Sequence, residues 1–296
     1  MRSWILTGFA LAAIAAHAQT YTEKITREFV FEIGSPDNAL IIANLNGAVY
    51  VQGYDGDRIL VEINKWISGK TAARLEKGKK DLNLGVIDRG DTLILYTQDG
   101  CVSFGRHSHE KNMNSLHRNG WGYDWECGGR NCETEFDYKL DFIIKVPASV
   151  NVVLSTINEG DITVENLTGA VRAENINGSI RLTNLTREAS ASTINGDVEI
   201  TYASNPKSEC RFYALNGDIN ALFQKGLAAN LSFDSFNGDF YTNVDRIERL
   251  PVAIEKASDG KNVRYRLTDT RYRVGGGGVL LDFETFNGNV YLKEKE

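Results

Sequence analysis

Apolar residues along this chain follow neither the three-to-four spacing of an amphipathic helix nor one long alternation. From residue 150 to 243 they fall in short bursts, each broken by Asn-Gly. The pair recurs as Asn46-Gly47, Asn177-Gly178, Asn195-Gly196, Asn216-Gly217, Asn237-Gly238 and Asn287-Gly288, with a looser copy at Asn158-Glu159-Gly160. Steps from Asn158 are 19, 18, 21 and 21 residues, then 50 to the last copy. A period near 20 is the mark of stacked coils or blades.

Aligning the copies on Asn produces apolar columns. Six residues earlier stand Leu40, Val152, Val171, Ala189, Cys210, Leu231 and Leu281; four earlier stand Ile42, Leu154, Ala173, Ala191, Phe212, Phe233 and Phe283. The residue just before Asn is always Ile, Leu or Phe, and three after it come Val49, Ile180, Val198, Ile219, Phe240 and Val290. A two-residue hairpin at Asn195-Gly196 would set Ile194 opposite Asp197 and Thr193 opposite Val198, both mismatched. A corner avoids this. One short strand ends, the backbone bends through Asn-Gly, which tolerate positive φ, and a second begins, with every apolar column pointing inward. Stacked corners of this kind predict an all-β chain, a parallel β-solenoid of ~20-residue coils with like strands paired at ~4.8 Å.

Elsewhere, EFVFEI, RILVEINKWI, DTLILYTQ and FDYKLDFIIKV read as strands, and residues 70–82 as a short helix with a solvated charged face. Residues 1–18 carry a basic start, an apolar run from Ile5 to Ala16 and the small-residue site Ala16-His17-Ala18, predicting a cleaved signal peptide and a mature chain from Gln19. Residues 19–296 are then one solenoid domain without a further membrane segment, exported to the periplasm or cell surface. Export changes the formal charge from −6 to −7, which disfavours a nucleic-acid partner.

The repeated (I/L/F)NG(D/N/S)(V/I/F) cores resemble the putative-adhesin family of bacterial exported β-repeat proteins, related to head-GIN adhesin-like domains. The resemblance covers 150–243, 38–65 and 279–293. It implies a right-handed β-helix-like fold at the cell envelope and brings no reaction, cofactor or catalytic residue.

Residues 99–135 break the repeat and form an inserted loop holding His107, His109, His117, Cys101, Cys127, Cys132, Trp121, Tyr123 and Trp125. The His and Cys residues are candidate metal ligands without a standard spacing. In an exported chain the alternative is a disulfide, Cys127 with Cys132 first and Cys101 with either as the rival; Cys210, in an inward column, reads as a buried free thiol. Trp121, Tyr123 and Trp125 either stack on a ligand or pack back as a lid. Asp197, Asp218 and Asp239 would stack about 5 Å apart, as a cation site or as turn caps. Together these readings give a non-enzymatic adhesin-like module whose partner is an envelope or surface glycan or protein. The alternatives are a carbohydrate-active β-helix enzyme working through the Asp column and an envelope-stress or metal-sensing component working through the loop.

Overall fold

The computed structural model describes residues 18–106, 121–124, 134–251, 254–259, 262–267 and 270–296. The predicted signal peptide therefore lies outside the described residues up to residue 17. In chain order, β1 (Gln19–Phe29), β2 (Ala39–Ala43), β3 (Val49–Tyr54) and β4 (Ile59–Gly69) lead to α1 (Ala72–Asp81). Then come β5 (Asn83–Asp88), β6 (Thr92–Gln98), β7 (Ser103–Arg106), β8 (Trp121–Asp124) and β9 (Asp137–Pro147). The repeats supply β10 (Asn151–Thr156), β11 (Ile162–Glu165), β12 (Val171–Asn177), β13 (Ile180–Leu185), β14 (Ala189–Asn195), β15 (Val198–Tyr202), β16 (Cys210–Asn216), β17 (Ile219–Phe223), β18 (Ala229–Asn237) and β19 (Phe240–Thr242). An excursion follows through β20 (Ile247–Arg249), β21 (Ile254–Asp259), β22 (Asn262–Leu267) and β23 (Thr270–Val274), and the chain ends with β24 (Val279–Asn287) and β25 (Val290–Glu294).

Two large mixed sheets, neither closed on itself, hold most of these strands. One runs β1-β4-β9-β3-β11-β13-β15-β17-β25-β19 and the other β20-β23-β18-β24-β16-β14-β12-β10-β2-β6-β5. The strands flanking each Asn-Gly lie in different sheets, so the pair turns the chain from one sheet into the other. No hairpin forms there. β14 instead pairs in parallel with β12 and β16, and β15 with β13 and β17. Register follows the sequence columns: Val152 faces Val171, Ala173 faces Ala191, and Phe212 faces Phe283.

The last repeat does not stack last. β24 sits between β16 and β18, and β25 between β17 and β19, so the spatial order of corners is Asn46, Asn158, Asn177, Asn195, Asn216, Asn287, Asn237. The Phe column permits this, since Phe212, Phe283 and Phe233 occupy equivalent places.

Inward side chains of both sheets form one buried cluster, with Leu154, Ile162, Phe212, Phe283 and Val290 fully enclosed. Thr71 caps α1, its hydroxyl accepting the Arg74 N–H at 3.3 Å, and the helix packs on β4 through buried Leu75 and Gly78. The segments expected at β4, β6 and β9 are strands. EFVFEI is not: the strand begins at Gln19 and ends at Phe29, pairing antiparallel with β4 along its whole length.

Candidate functional site: the Asn-Gly corner

Three ladders run along the corners from rung to rung, the second interrupted at Ala48 and the third at Ala214. Asn side chains form the outermost: Asn158 donates to Asn46, Asn177 to Asn158, Asn195 to Asn177, Asn216 to Asn195, Asn287 to Asn216 and Asn237 to Asn287, all at 2.8–3.2 Å. An amide carries two N–H donors and an oxygen with two lone pairs. The ladder uses one of each, leaving every interior Asn one N–H and one lone pair directed to solvent.

The second ladder uses the residue after Gly. Asp161, Ser179, Asp197, Asp218 and Asn289 each accept the backbone N–H of the next rung, from Ser179 through Asp239, at 2.7–3.2 Å, and Asp141, which follows Leu140 on β9, does the same for Ala48 at 2.9 Å. This corrects the expected Asp stack. Asn289 stands between Asp218 and Asp239, so the three aspartates are not consecutive, and Oδ1 of both Asp197 and Asp218 is committed to a backbone amide. No group of three or more His, Cys, Asp or Glu among the described residues is placed to hold a metal ion.

Sequence reading missed the third ladder, two residues before Asn. Asn44, Thr156, Asn175, Thr193 and Thr285 are buried there, and each donates to the carbonyl of a corner glycine: Gly47 for Asn44 and Thr156, then Gly160, Gly178 and Gly288, at 2.8–3.0 Å. The signal was legible as a recurring Thr or Asn inside an apolar burst.

Glycine is needed for a different reason from the one expected. Only Gly47 and Gly196 of the corner glycines have positive φ, and no motif Asn does. A Cβ on Gly178, Gly217, Gly238 or Gly288 would stand 1.8–2.2 Å from the carbonyl oxygen of the neighbouring corner glycine. The corners stack too closely for any side chain. Among residues other than glycine, positive φ falls at Glu159, inside the looser corner, and at Asn166, just after β11, and Asn184, in the irregular end of β13, where Asn184 donates to Asn166 at 2.7 Å.

The apolar residue before Asn also departs from expectation. Leu45 belongs to the core and Ile157 packs against it, but from Ile176 onward the residue points outward, because it follows an inward residue in a strand that continues to Asn. Leu45 is covered, but Ile157, Ile176 and Leu215 are half-buried, and Ile194 is 38%, Phe286 44% and Phe236 74% exposed. In spatial order they make a continuous apolar stripe beside the Asn ladder. Its end is aromatic: Phe236 and Phe286 stack at 4.8 Å with ring planes 3° apart. Past the corner, Tyr241 and Tyr291 stack at 5.1 Å on the same two rungs.

The insertion is partly described. Tyr123 is buried; its hydroxyl lies 2.7 Å from the Ala43 carbonyl and 2.9 Å from the Thr97 carbonyl, and accepts the Thr97 N–H at 3.0 Å. Burial drives its phenol far above the ordinary range. Phe104 lies between Tyr96, Trp121 and Tyr123 at 4.4, 6.0 and 5.1 Å, with Arg89 over Trp121. Trp121 and Tyr123 thus pack against the sheet carrying β6. His107, His109, His117, Trp125, Cys127 and Cys132 lie outside the described residues. Cys101 is not a free thiol, whereas Cys210 is free and buried, 3.2 Å from the Tyr202 hydroxyl, and burial raises both pKa values.

Two surface hollows compete with the corner. One of about 730 Å³ is bordered by Lys225, Asp245, Arg246 and Glu294, charges of both signs; another of about 490 Å³ lies over Arg27, Leu60, Glu62 and Ile143. Neither joins a nucleophile to a base. No helix among the described residues is long and apolar enough to cross a membrane.

No protein-family model matches the chain, and no curated protein matches it. Among solved structures it is similar to a "putative cell adhesion protein" from Clostridium sporogenes, at 12% identity and TM-score 0.42, over 93% of this chain and 100% of that one. A "putative adhesin" from Bacteroides fragilis matches at 13% and 0.33 over 91% and 97%, and a "putative lipid binding protein" from Parabacteroides distasonis at 10% and 0.25 over 92% and 97%. At these values the likeness assigns neither a family nor an activity.

Proposed function

We propose that this chain is an exported, non-enzymatic binding module of adhesin type at the bacterial envelope, built as a single β-solenoid that presents its Asn-Gly corner to a partner. The observation that carries the reading is the outward apolar stripe. Single exposed apolar residues need no explanation, but these recur at one place on successive rungs and end in two stacked phenylalanines, one of them 74% exposed. In-register parallel pairing of like strands supports the solenoid. A repeating scaffold of that kind presents one surface many times over.

The test is sedimentation of purified mature protein with washed bacterial envelopes. Saturable binding above that of an unrelated exported protein of similar charge is expected, and its absence defeats the reading. N-terminal sequencing of protein recovered from the cell exterior should begin at Gln19.

A further inference from the structure

We propose that Asn237 is a site of spontaneous covalent modification. In the folded protein its side chain cyclises onto the Gly238 backbone nitrogen and opens to aspartate or isoaspartate, while the other corner asparagines are held unreactive. This is independent of what the corner binds.

The chemistry belongs to the dipeptide. Base removes the glycine N–H proton, and the nitrogen attacks Cγ of the preceding Asn. The N–Cγ bond forms, the Cγ–Nδ2 bond breaks, and the amide takes up a proton and leaves as ammonia. Water then opens the resulting five-membered succinimide at one carbonyl to give aspartate or at the other to give isoaspartate. Glycine favours the ring because it sets no side chain beside the attacking nitrogen and restricts the backbone least. All six corner Asn-Gly pairs share this advantage, so sequence alone ranks them equally.

The stack makes them unequal. Five of the six glycine N–H groups are donated to the next rung: Gly47 to the Asn158 carbonyl at 2.9 Å, Gly178 to Asn195 at 2.9 Å, Gly196 to Asn216 at 3.1 Å, Gly217 to Asn287 at 3.0 Å and Gly288 to Asn237 at 3.1 Å. Each must break that bond before its nitrogen can turn on the side chain. Gly238 N–H alone has no acceptor among the described residues. Its place explains this. The Asn237 carbonyl accepts from Gly288 and so points back into the stack, and across a trans peptide the following N–H points the opposite way, off the end. Exposure agrees, since Gly238 is exposed whereas Gly47 is buried and Gly178, Gly196, Gly217 and Gly288 are half-buried.

The side chain is also held less. Interior asparagines both donate and accept along their ladder, but Asn237 only donates, to Asn287 at 2.9 Å. Nor does β23 cover the pair, because its pairing with β18 ends at Phe233. Chain order alone would put Asn287-Gly288 at the free end. The interchange of the last two rungs encloses that pair and exposes Asn237-Gly238 instead. Conversion would remove the donor of the Asn237–Asn287 bond and add a carboxylate close to Asp239 at the end of the ladder.

The test incubates purified native protein in mildly alkaline buffer and follows the six corner asparagines by peptide mapping after digestion in acid, with fragmentation that separates isoaspartate from aspartate. Asn119-Gly120 lies outside the described residues and is not scored. Asn237 should convert at least about tenfold faster than any of the other five, because a tied glycine is released only through an opening that costs at least one hydrogen bond. In urea the six should fall within about threefold of one another, since the stack no longer distinguishes them. Asn237→Gln, which would need a larger ring, should remove the fast isoaspartate signal without speeding the other five. Asn287 or any other corner converting as fast as Asn237 in native protein overturns the proposal. So does a native Asn237 that stays intact while the unfolded chain converts, or a ranking that persists unchanged in urea, which would place the selectivity in the flanking sequence rather than the fold.

Discussion

Replacing Gly217 by Ala separates two explanations of the corner. If Asn-Gly recurs because the bend needs positive φ, Gly217→Ala should be tolerated, since Gly217 is not among the glycines at positive φ. If it recurs because corners touch, the new methyl must displace a rung. Its Cβ would lie 2.0 Å from the Gly196 oxygen and 2.5 Å from the carbonyl carbon, where ordinary contact starts at 3.4 Å. The rungs must part by more than an ångström, and neither is free to yield. Gly196 N–H bonds the Asn216 carbonyl at 3.1 Å, Asp218 N–H bonds Asp197 at 2.8 Å, and Asn216 bonds Asn195 at 3.0 Å. Loss of about three such bonds at ~1 kcal/mol net each gives roughly 2–4 kcal/mol of destabilisation. Gly34, with nothing within 4 Å and no positive φ, is the control, and Gly34→Ala should be neutral or stabilise by up to ~1 kcal/mol. Urea unfolding followed by circular dichroism measures both. A loss below 1 kcal/mol for Gly217→Ala would show that the stacked corners are not what requires glycine.

Three further outcomes follow from buried polar groups. Thr193→Val keeps the shape but removes the 2.8 Å bond to the Gly178 carbonyl, and should cost about 1–2 kcal/mol in the same urea assay; no change would mean water replaces it freely. Burial raises the folded-state pKa of Tyr123, Tyr138, Tyr202 and Cys210, so their neutral forms stabilise the fold below the unfolded values, and that contribution is lost as pH rises. Above pH ~10 each phenol should remove ~1.4 kcal/mol per pH unit, giving cooperative alkaline unfolding in which phenolate absorbance and circular dichroism change together; a urea midpoint flat from pH 9 to 11.5 contradicts this. Cys210 should resist a thiol reagent until the protein unfolds, and because Cys101 is not free, peptide mapping without reductant should link it to Cys127 or Cys132 rather than Cys127 to Cys132. Labelling of Cys101 in untreated native protein would contradict that bridge.

Inward columns were legible in the sequence because a parallel stack repeats one environment. Leu154, Ala173, Ala191 and Phe212 each meet the same neighbours above and below, so a recurrence in sequence is a recurrence in space. The column before Asn misled for the same reason: its recurrence was genuine, but hydrophobicity does not say which face a residue takes when a burst includes adjacent apolar positions. Thr193 and Asn175 were overlooked because a buried polar residue becomes intelligible only with its acceptor in view. The antiparallel strands β20 and β23 left no periodic trace, since β23 pairs with the rung strand β18, and β20 with β23, without repeating it.

The interchange of the last two rungs was illegible for a deeper reason. Leu231, Phe233 and Asn237 could meet Cys210, Phe212 and Asn216 in the same register that Leu281, Phe283 and Asn287 adopt, so the columns permit either order. The observed order fully buries Leu281, Phe283, Val290 and Leu292 between two rungs. The reverse order would place Leu231, Phe233 and Phe240 there instead, so the preference is only the difference between two similar apolar sets, and the greater chain length between β17 and β24 adds little cost because closure entropy grows only as the logarithm of length. The observed order also pushes the β18–β23 excursion to the end of the stack, where β23 and β20 pair antiparallel over an edge that would otherwise expose a full parallel strand. In the opposite sheet the edge strand β19 is only three residues long. β23 thus caps the strand from Ala229 to Phe233 and stops short of Phe236, whose ring stays in solvent at the end of the stack.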